Sequence, residues 1–215
     1  MINEFFAASC LSAADMDRLW ADGWRHFGAY FFRYSMTRFD GPCHVMPLRV
    51  ELAAFAPSRS QERILRRNRD LDVVIRDTFI DAAKEALFER HRKRFKENAP
   101  DSIFDFLSER PATVPCRNQE ISVYRGESLL AASFLDIGET ATSAVYAAFE
   151  PAEHKRSLGI FTMLRAIEYS RDLGLRYYYP GYACREPSVY DYKKNFAGLE
   201  FLDWGVGWTR YAHEP

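Results

Sequence analysis

Cysteine, net charge and long apolar runs are all scarce in this 215-residue chain. Its four cysteines, Cys10, Cys43, Cys116 and Cys184, include no C-x-x-C pair, so neither a zinc ribbon nor a redox motif is signalled. The first ten residues, MINEFFAASC, carry an acid where a secretory signal needs a base. The chain is therefore expected to be cytoplasmic, with its cysteines kept as buried, reduced thiols. The longest largely apolar run, Leu129 to Leu135, is far short of the about 20 residues of a membrane span. Repeats, low-complexity tracts and long linkers are absent too. What is present is an ordinary globular composition, 47% hydrophobic and 27% charged, which excludes a disordered chain, a collagen and a coiled coil. Aromatics at 15% can fill a large core or line stacking surfaces. At about 150 residues per domain, this length predicts one large domain or one domain with an N-terminal elaboration.

The net charge of −1 hides segregation. Arg59, Arg63, Arg66, Arg67 and Arg69 face one acid, Glu62, and the segment 90–96 holds Arg90, Arg92, Lys93, Arg94 and Lys96 with none. Either block suits a phosphate-binding surface. Either equally suits a solvated helix face, and cations in a last helical turn also complement the macrodipole.

Ser12 and Gly23 bracket a helix from Ala13. Extended runs follow over 29–39 and 45–54, with turn chemistry at Asp40-Gly41-Pro42. Ser58-Arg59-Ser60-Gln61 has the S-x-x-Q form of a capping box and predicts a short basic helix to about Asn68. A strand over 71–75 precedes a helix over 78–96, and Ser102 caps a short helix. Three strands, 121–124, 128–136 and 142–149, then form an antiparallel meander. A helix over 157–173, a strand over 175–179, a short helix near 189–195 and two short strands complete the chain. The turn Lys155 to Gly159 puts free helix N–H groups beside a sheet edge, where anions bind. Meander plus anion turn predicts an α/β (α+β) GNAT-like acyltransferase fold, a central, mostly antiparallel mixed sheet flanked by helices. Residues 1–70 are expected to form an N-terminal region and 71–215 the catalytic domain.

From about Leu19 to Trp208 the chain resembles the aminoacyl-tRNA–protein transferases, the arginyltransferases and bacterial aspartate/glutamate leucyltransferases. The residues 23–28, GWRHFG, resemble that family's GFRRSG segment, and Pro47-Leu48-Arg49-Val50 its P-x-R-V strand. The most specific match is FAPSRSQER over 55–63 with RNRDL over 67–71. Arg90-His91, Asp136, Ser143-Ala144-Val145-Tyr146, Arg156-Ser157-Leu158-Gly159, Tyr177 to Tyr182 and Tyr192-Lys193 follow in family order. There are departures. The family's cysteine cluster before the P-x-R-V strand is reduced to Cys43, with Val45 in the last position, so no metal is carried over. Pro180 replaces a leucine, Ala183-Cys184 replaces W-x-I, and Tyr190 replaces a methionine.

The resemblance implies transfer of an arginyl- or leucyl-type group from aminoacyl-tRNA to the α-amine of a protein beginning with Asp or Glu. The ester is already activated, so alignment and a neutral amine suffice and no cofactor is required. It implies that Arg156, Ser157, Leu158 and Gly159 hold the tRNA end. Arg59, Ser60, Arg63, Arg66, Arg67, Asn68, Arg90 and His91 would contact its backbone. Tyr182 and Tyr192 would stack on its bases, and Lys193 would neutralise an acidic acceptor or a phosphate. Asp136 would bind the incoming α-ammonium group and help take its proton, and Tyr146 is a second catalytic candidate. His26, His154 and His213 receive no role. A small-molecule acceptor, an acyl-CoA donor and an inactive tRNA-binding protein stay open; neither DNA nor a membrane is expected as a partner.

Overall fold

The computed structural model describes residues 1–38, 41–95 and 99–212. Strand β1 (Asn3–Ala7) is followed by helix α1 (Ala13–Ala21), which Ser12 and Asp15 close with a reciprocal capping box. Next come β2 (Arg25–Phe27), β3 (Tyr30–Tyr34), β4 (Met36–Arg38) and the long β5 (Pro42–Glu51). Helix α2 (Arg59–Arg67) opens on the Ser58–Gln61 capping box foreseen from S-x-x-Q, a feature worth about 1 kcal/mol. After β6 (Asp72–Asp77), helix α3 (Ala82–Arg92) starts later than expected. The reason is Asp81, whose side chain accepts from the Lys84 amide and fixes the cap there. The meander is β7 (Asn118–Arg125), β8 (Ser128–Ile137) and β9 (Ala141–Phe149), and α4 (Leu158–Asp172) follows. Strand β10 (Tyr177–Cys184), a 3-10 turn over Asp191–Asn195, β11 (Leu199–Asp203) and β12 (Gly207–Arg210) end the chain. Asp40, Lys96 and His213 lie outside the described residues.

The central sheet runs β12-β11-β5-β10-β9-β8-β7-β6, with β4 paired to β5. All neighbours are antiparallel except β9 and β10. That parallel pair needs a crossover, and α4 supplies it, burying Leu158, Phe161, Leu164, Ala166 and Ile167. The order meets the expected acyltransferase plan. It also shows that the division at residue 70 runs through one sheet, because β5 sits between β10 and β11. The N-terminal elaboration is a separate three-stranded sheet, β1-β3-β2. Its inner side places Phe31 and Phe6 against Met16 and Trp20 of α1.

The cysteines depart from expectation. Antiparallel pairing of β10 with β5 sets Cys184 opposite Val45, and Cys184 is disulfide-bonded to Cys43. Cys116 is a buried thiol and Cys10 an exposed one.

Candidate active site

Strands β9 and β10 pair only at their first residues, Tyr177 to Tyr179 against Ala141 to Ser143. Beyond them β9 turns to β8 alone and β10 to β5 alone, so the two strands splay and open a cleft in the sheet. Arg25 of β2 reaches the apex. Its guanidinium donates to Ser143 Oγ and to the carbonyl of Ala144, the first residue of β9 past the paired stretch. Lys193 arrives from the 3-10 turn and donates through Nζ to the Tyr182 carbonyl at 3.1 Å. Gly181 adjoins both cations. Its φ is +97°, and a Cβ there would lie 3.3 Å from Lys193 Nζ and 3.9 Å from the Arg25 guanidinium. Glycine is required twice over, by backbone conformation and by the room the ammonium needs.

Among the described residues no carboxylate hydrogen-bonds or ion-pairs with Arg25 or Lys193. Burial, and then the charge of Arg25, pull the Lys193 ammonium down to about 7. Burial also holds Arg25 below its usual value. Two half-buried cations sharing a place are costly when, as here, no acid touches either and only the nearby Asp136 carboxylate favours the Arg25 charge. The arrangement accepts a negatively charged group.

Asp136 is close by but enclosed. Its carboxylate lies 2.6 Å from His26 Nε2 and accepts from Asn118 Nδ2 at 2.8 Å, while His26 Nδ1 lies 2.9 Å from the Gly28 carbonyl. Asp136 is only 1% exposed, so the resemblance's role of receiving an ammonium group finds it enclosed by His26 and Asn118. It holds His26, and His26 fixes the strand that carries Arg25. His26, given no role from sequence, is thus a support of the site. Tyr146 stacks on Phe106 with ring centroids 3.9 Å apart. Its hydroxyl is buried without a hydrogen-bond partner, and burial raises its pKa.

The two specific motifs hold each other. Arg156 makes a bidentate pair with Asp70, at 2.9 and 2.8 Å, and reaches the Arg67 carbonyl at 3.2 Å. Asn68 donates to the Arg156 carbonyl at 2.9 Å, and Arg67 to that of Lys155. Arg156, Arg67 and Asn68 therefore clamp the turn, Arg156 and Asn68 with most of their polar groups and exposed Arg67 through one nitrogen of its guanidinium. The clamp fixes Ser157 at φ 55°, a left-handed conformation, and its side chain makes no cap hydrogen bond. Leu158 is buried, and a Cβ on Gly159 would meet the Phe149 ring at 3.1 Å. So this turn packs the start of α4 onto β9.

The two basic blocks diverge as well. On α2, Arg59 and Arg63 are exposed, as is Arg69 beyond it, with no ion pair among the described residues. Arg66 lies 3.9 Å from Glu62. On α3, Arg90 stays exposed but pairs with Glu150 at 2.6 Å, and buried His91 turns inward to bond the Phe149 backbone. Beside α2, an open groove of about 340 Å³ is lined by Ser58, Ser60, Gln61, Ile160, Tyr192 and Asn195. Tyr192 is accessible there. Tyr182 spends its hydroxyl on the Gly23 carbonyl at 2.6 Å.

Comparison with known proteins gives the frame. Residues 83–203 match the family "Arginine-tRNA-protein transferase, C terminus", and residues 2–63 match its N-terminal counterpart. The chain belongs to that family. It is an aminoacyltransferase. It is 30% identical over 189 residues to an aspartate/glutamate leucyltransferase of Saccharophagus degradans, covering 84% of this chain and 76% of that protein. To the one of Stenotrophomonas maltophilia it is 34% identical over 175 residues, covering 78% and 69%. Among solved structures it is similar to FemX, with a TM-score of 0.50 at 11% identity, over 81% of this chain and 61% of that one. That likeness is one of fold. No helix among the described residues is long and apolar enough to cross a membrane.

Proposed function

We propose that the chain transfers leucine from leucyl-tRNA to the α-amine of a protein beginning with Asp or Glu. The observation that carries this reading is the pair Arg25 and Lys193 at the apex of the splayed strands, without a carboxylate partner. An acidic first side chain supplies the missing anion. Its α-amine is then held beside the cleft, and positioning of amine against an activated ester is the main catalytic need. Such an amine titrates at about 7.7–8.0, so a useful fraction is neutral near pH 7 without a strong base. The choice of leucine rests on the names of the relatives, aspartate/glutamate leucyltransferases.

The exposed arginines of α2 and the groove beside Tyr192 suit the tRNA backbone, a contact that salt should weaken. The test is transfer of labelled leucine or arginine from charged tRNA to peptides that begin with Asp, Glu, Asn or Lys. Leucine moving onto Asp and Glu peptides supports the reading. Arginine moving instead, or equal use of the Lys peptide, contradicts it.

A further inference from the structure

The N-terminal sheet has two unlike faces. Register sets Phe5 and Arg25 opposite Phe32, and Phe27 opposite Tyr30, so these side chains share one face with Tyr34. The other face, with Phe6 and Phe31, packs on α1. A sheet face away from the core is ordinarily polar, yet this one is aromatic. Phe5 is 66% exposed and Tyr30 50%. The rings form a row: Phe5 to Tyr30 at 5.9 Å, Tyr30 to Phe32 at 6.4 Å, Phe32 to Tyr34 at 5.8 Å, and Tyr34 to Tyr182 at 5.4 Å. Tyr182 is the residue whose carbonyl holds Lys193. Arg25, from the same face, enters the cleft. The row therefore runs continuously from solvent to the apex.

We propose that this face is a stacking platform for the unpaired 3′ bases of the aminoacyl-tRNA, delivering its terminal ester to the cleft. The inference rests on the transfer reading above and adds the subsite for the donor's end. Flat rings in a row along a sheet are the sequence-tolerant way to hold splayed bases, whose π-faces all stack alike. The near-parallel planes of neighbouring rings, 27°, 31° and 15° apart from Phe5 to Tyr34, together with continuity to the cleft, select flat bases over a second copy of the chain or the acceptor's polypeptide. A base-paired stem fits the arginines of α2; an unpaired end fits the rings.

The probe is an end-labelled eight-nucleotide single-stranded RNA, compared with the same bases closed into a blunt hairpin. The full-length chain should bind the single strand at least tenfold more tightly. Phe5→Ala with Tyr30→Ala, both on exposed rings, should weaken single-strand binding by about tenfold and raise KM for leucyl-tRNA. The KM for an Asp-start peptide should not change, and Phe5→Tyr with Tyr30→Phe should restore binding. The proposal is overturned if the double alanine variant binds the single strand as wild type does, or if the hairpin binds equally well. A raised peptide KM, or a dimer that the variant dissolves, would give the face to the other occupants and overturn it too. Failure of the wild type to use any charged tRNA would instead defeat the transfer reading, a result the RNA-binding arms do not depend on.

Discussion

Lys84 and Lys193 are a fully buried and a half-buried lysine with opposite surroundings. Lys84 is fully buried at 3.1 Å from the equally buried Glu120, with Asp81 at 3.4 Å, and Glu120 also binds Arg76 at 2.8 Å. Lys193 has a backbone carbonyl, the Tyr190 ring at 5.0 Å and a second cation, Arg25, but no carboxylate among the described residues. The first charge is neutralised by the fold and the second is not. A buried charge answered by its own chain is architecture, whereas one left unanswered marks where a ligand of opposite sign belongs.

The sharpest break of this comparison is to remove each lysine. Lys84→Met removes the fully buried one of the two cations that hold Glu120 and should destabilise by about 3 kcal/mol, read from urea unfolding. Lys193→Met should leave unfolding unchanged or slightly more favourable to the native state, since it removes an uncompensated charge. It should nevertheless lower kcat/KM for an Asp-start peptide by about 10- to 100-fold, the worth of a charged hydrogen bond. Equal stability losses in the two variants would erase the distinction.

A smaller effect lies in pH. With Lys193 pulled down to about 7, the lysine is charged below that pH and neutral above it. Acidic-acceptor kcat/KM should therefore bend downward above about pH 7 in the free enzyme. The Lys193→Met variant should keep only the rise contributed by the acceptor amine. A wild-type profile with that rise alone would show that Lys193 does not meet the acceptor.

The smallest effect separates the basic blocks. Arg63→Ala should weaken tRNA binding and lower the salt slope by about 0.7–0.9. Arg90→Ala should leave that slope unchanged, costing only its pair with Glu150, worth about 1 kcal/mol or less. Filter binding at several salt concentrations distinguishes them.

Much of the fold was legible locally. Capping chemistry at Ser58 and Gln61, turn signals in the meander and the apolar stripe of α4 all act within a few residues. What stayed hidden depends on distant partners. Two basic blocks look alike until β9 brings Glu150 and the Phe149 backbone to one of them. Arg156 reads as a phosphate ligand until Asp70, 86 positions away, is seen to hold it. His26 has no signal of its own, because its partner Asp136 lies 110 positions downstream. Cys43 and Cys184 meet only because β5, an early strand, pairs with β10, a late one. The cation pair was half visible: both lay in motifs, but Lys193 alone was given a role, whereas Arg25, inside GWRHFG, needed the splay of β9 and β10 to show its place.

The most direct measurement is the ratio of kcat/KM for peptides beginning with Asp and with Asn, using leucyl-tRNA, in wild type and Lys193→Met. The account predicts a wild-type preference for Asp of more than about tenfold, and a ratio near one in the variant. A variant that is slower overall yet keeps the Asp preference would contradict the assignment of the cation pair to the acceptor's acidic side chain.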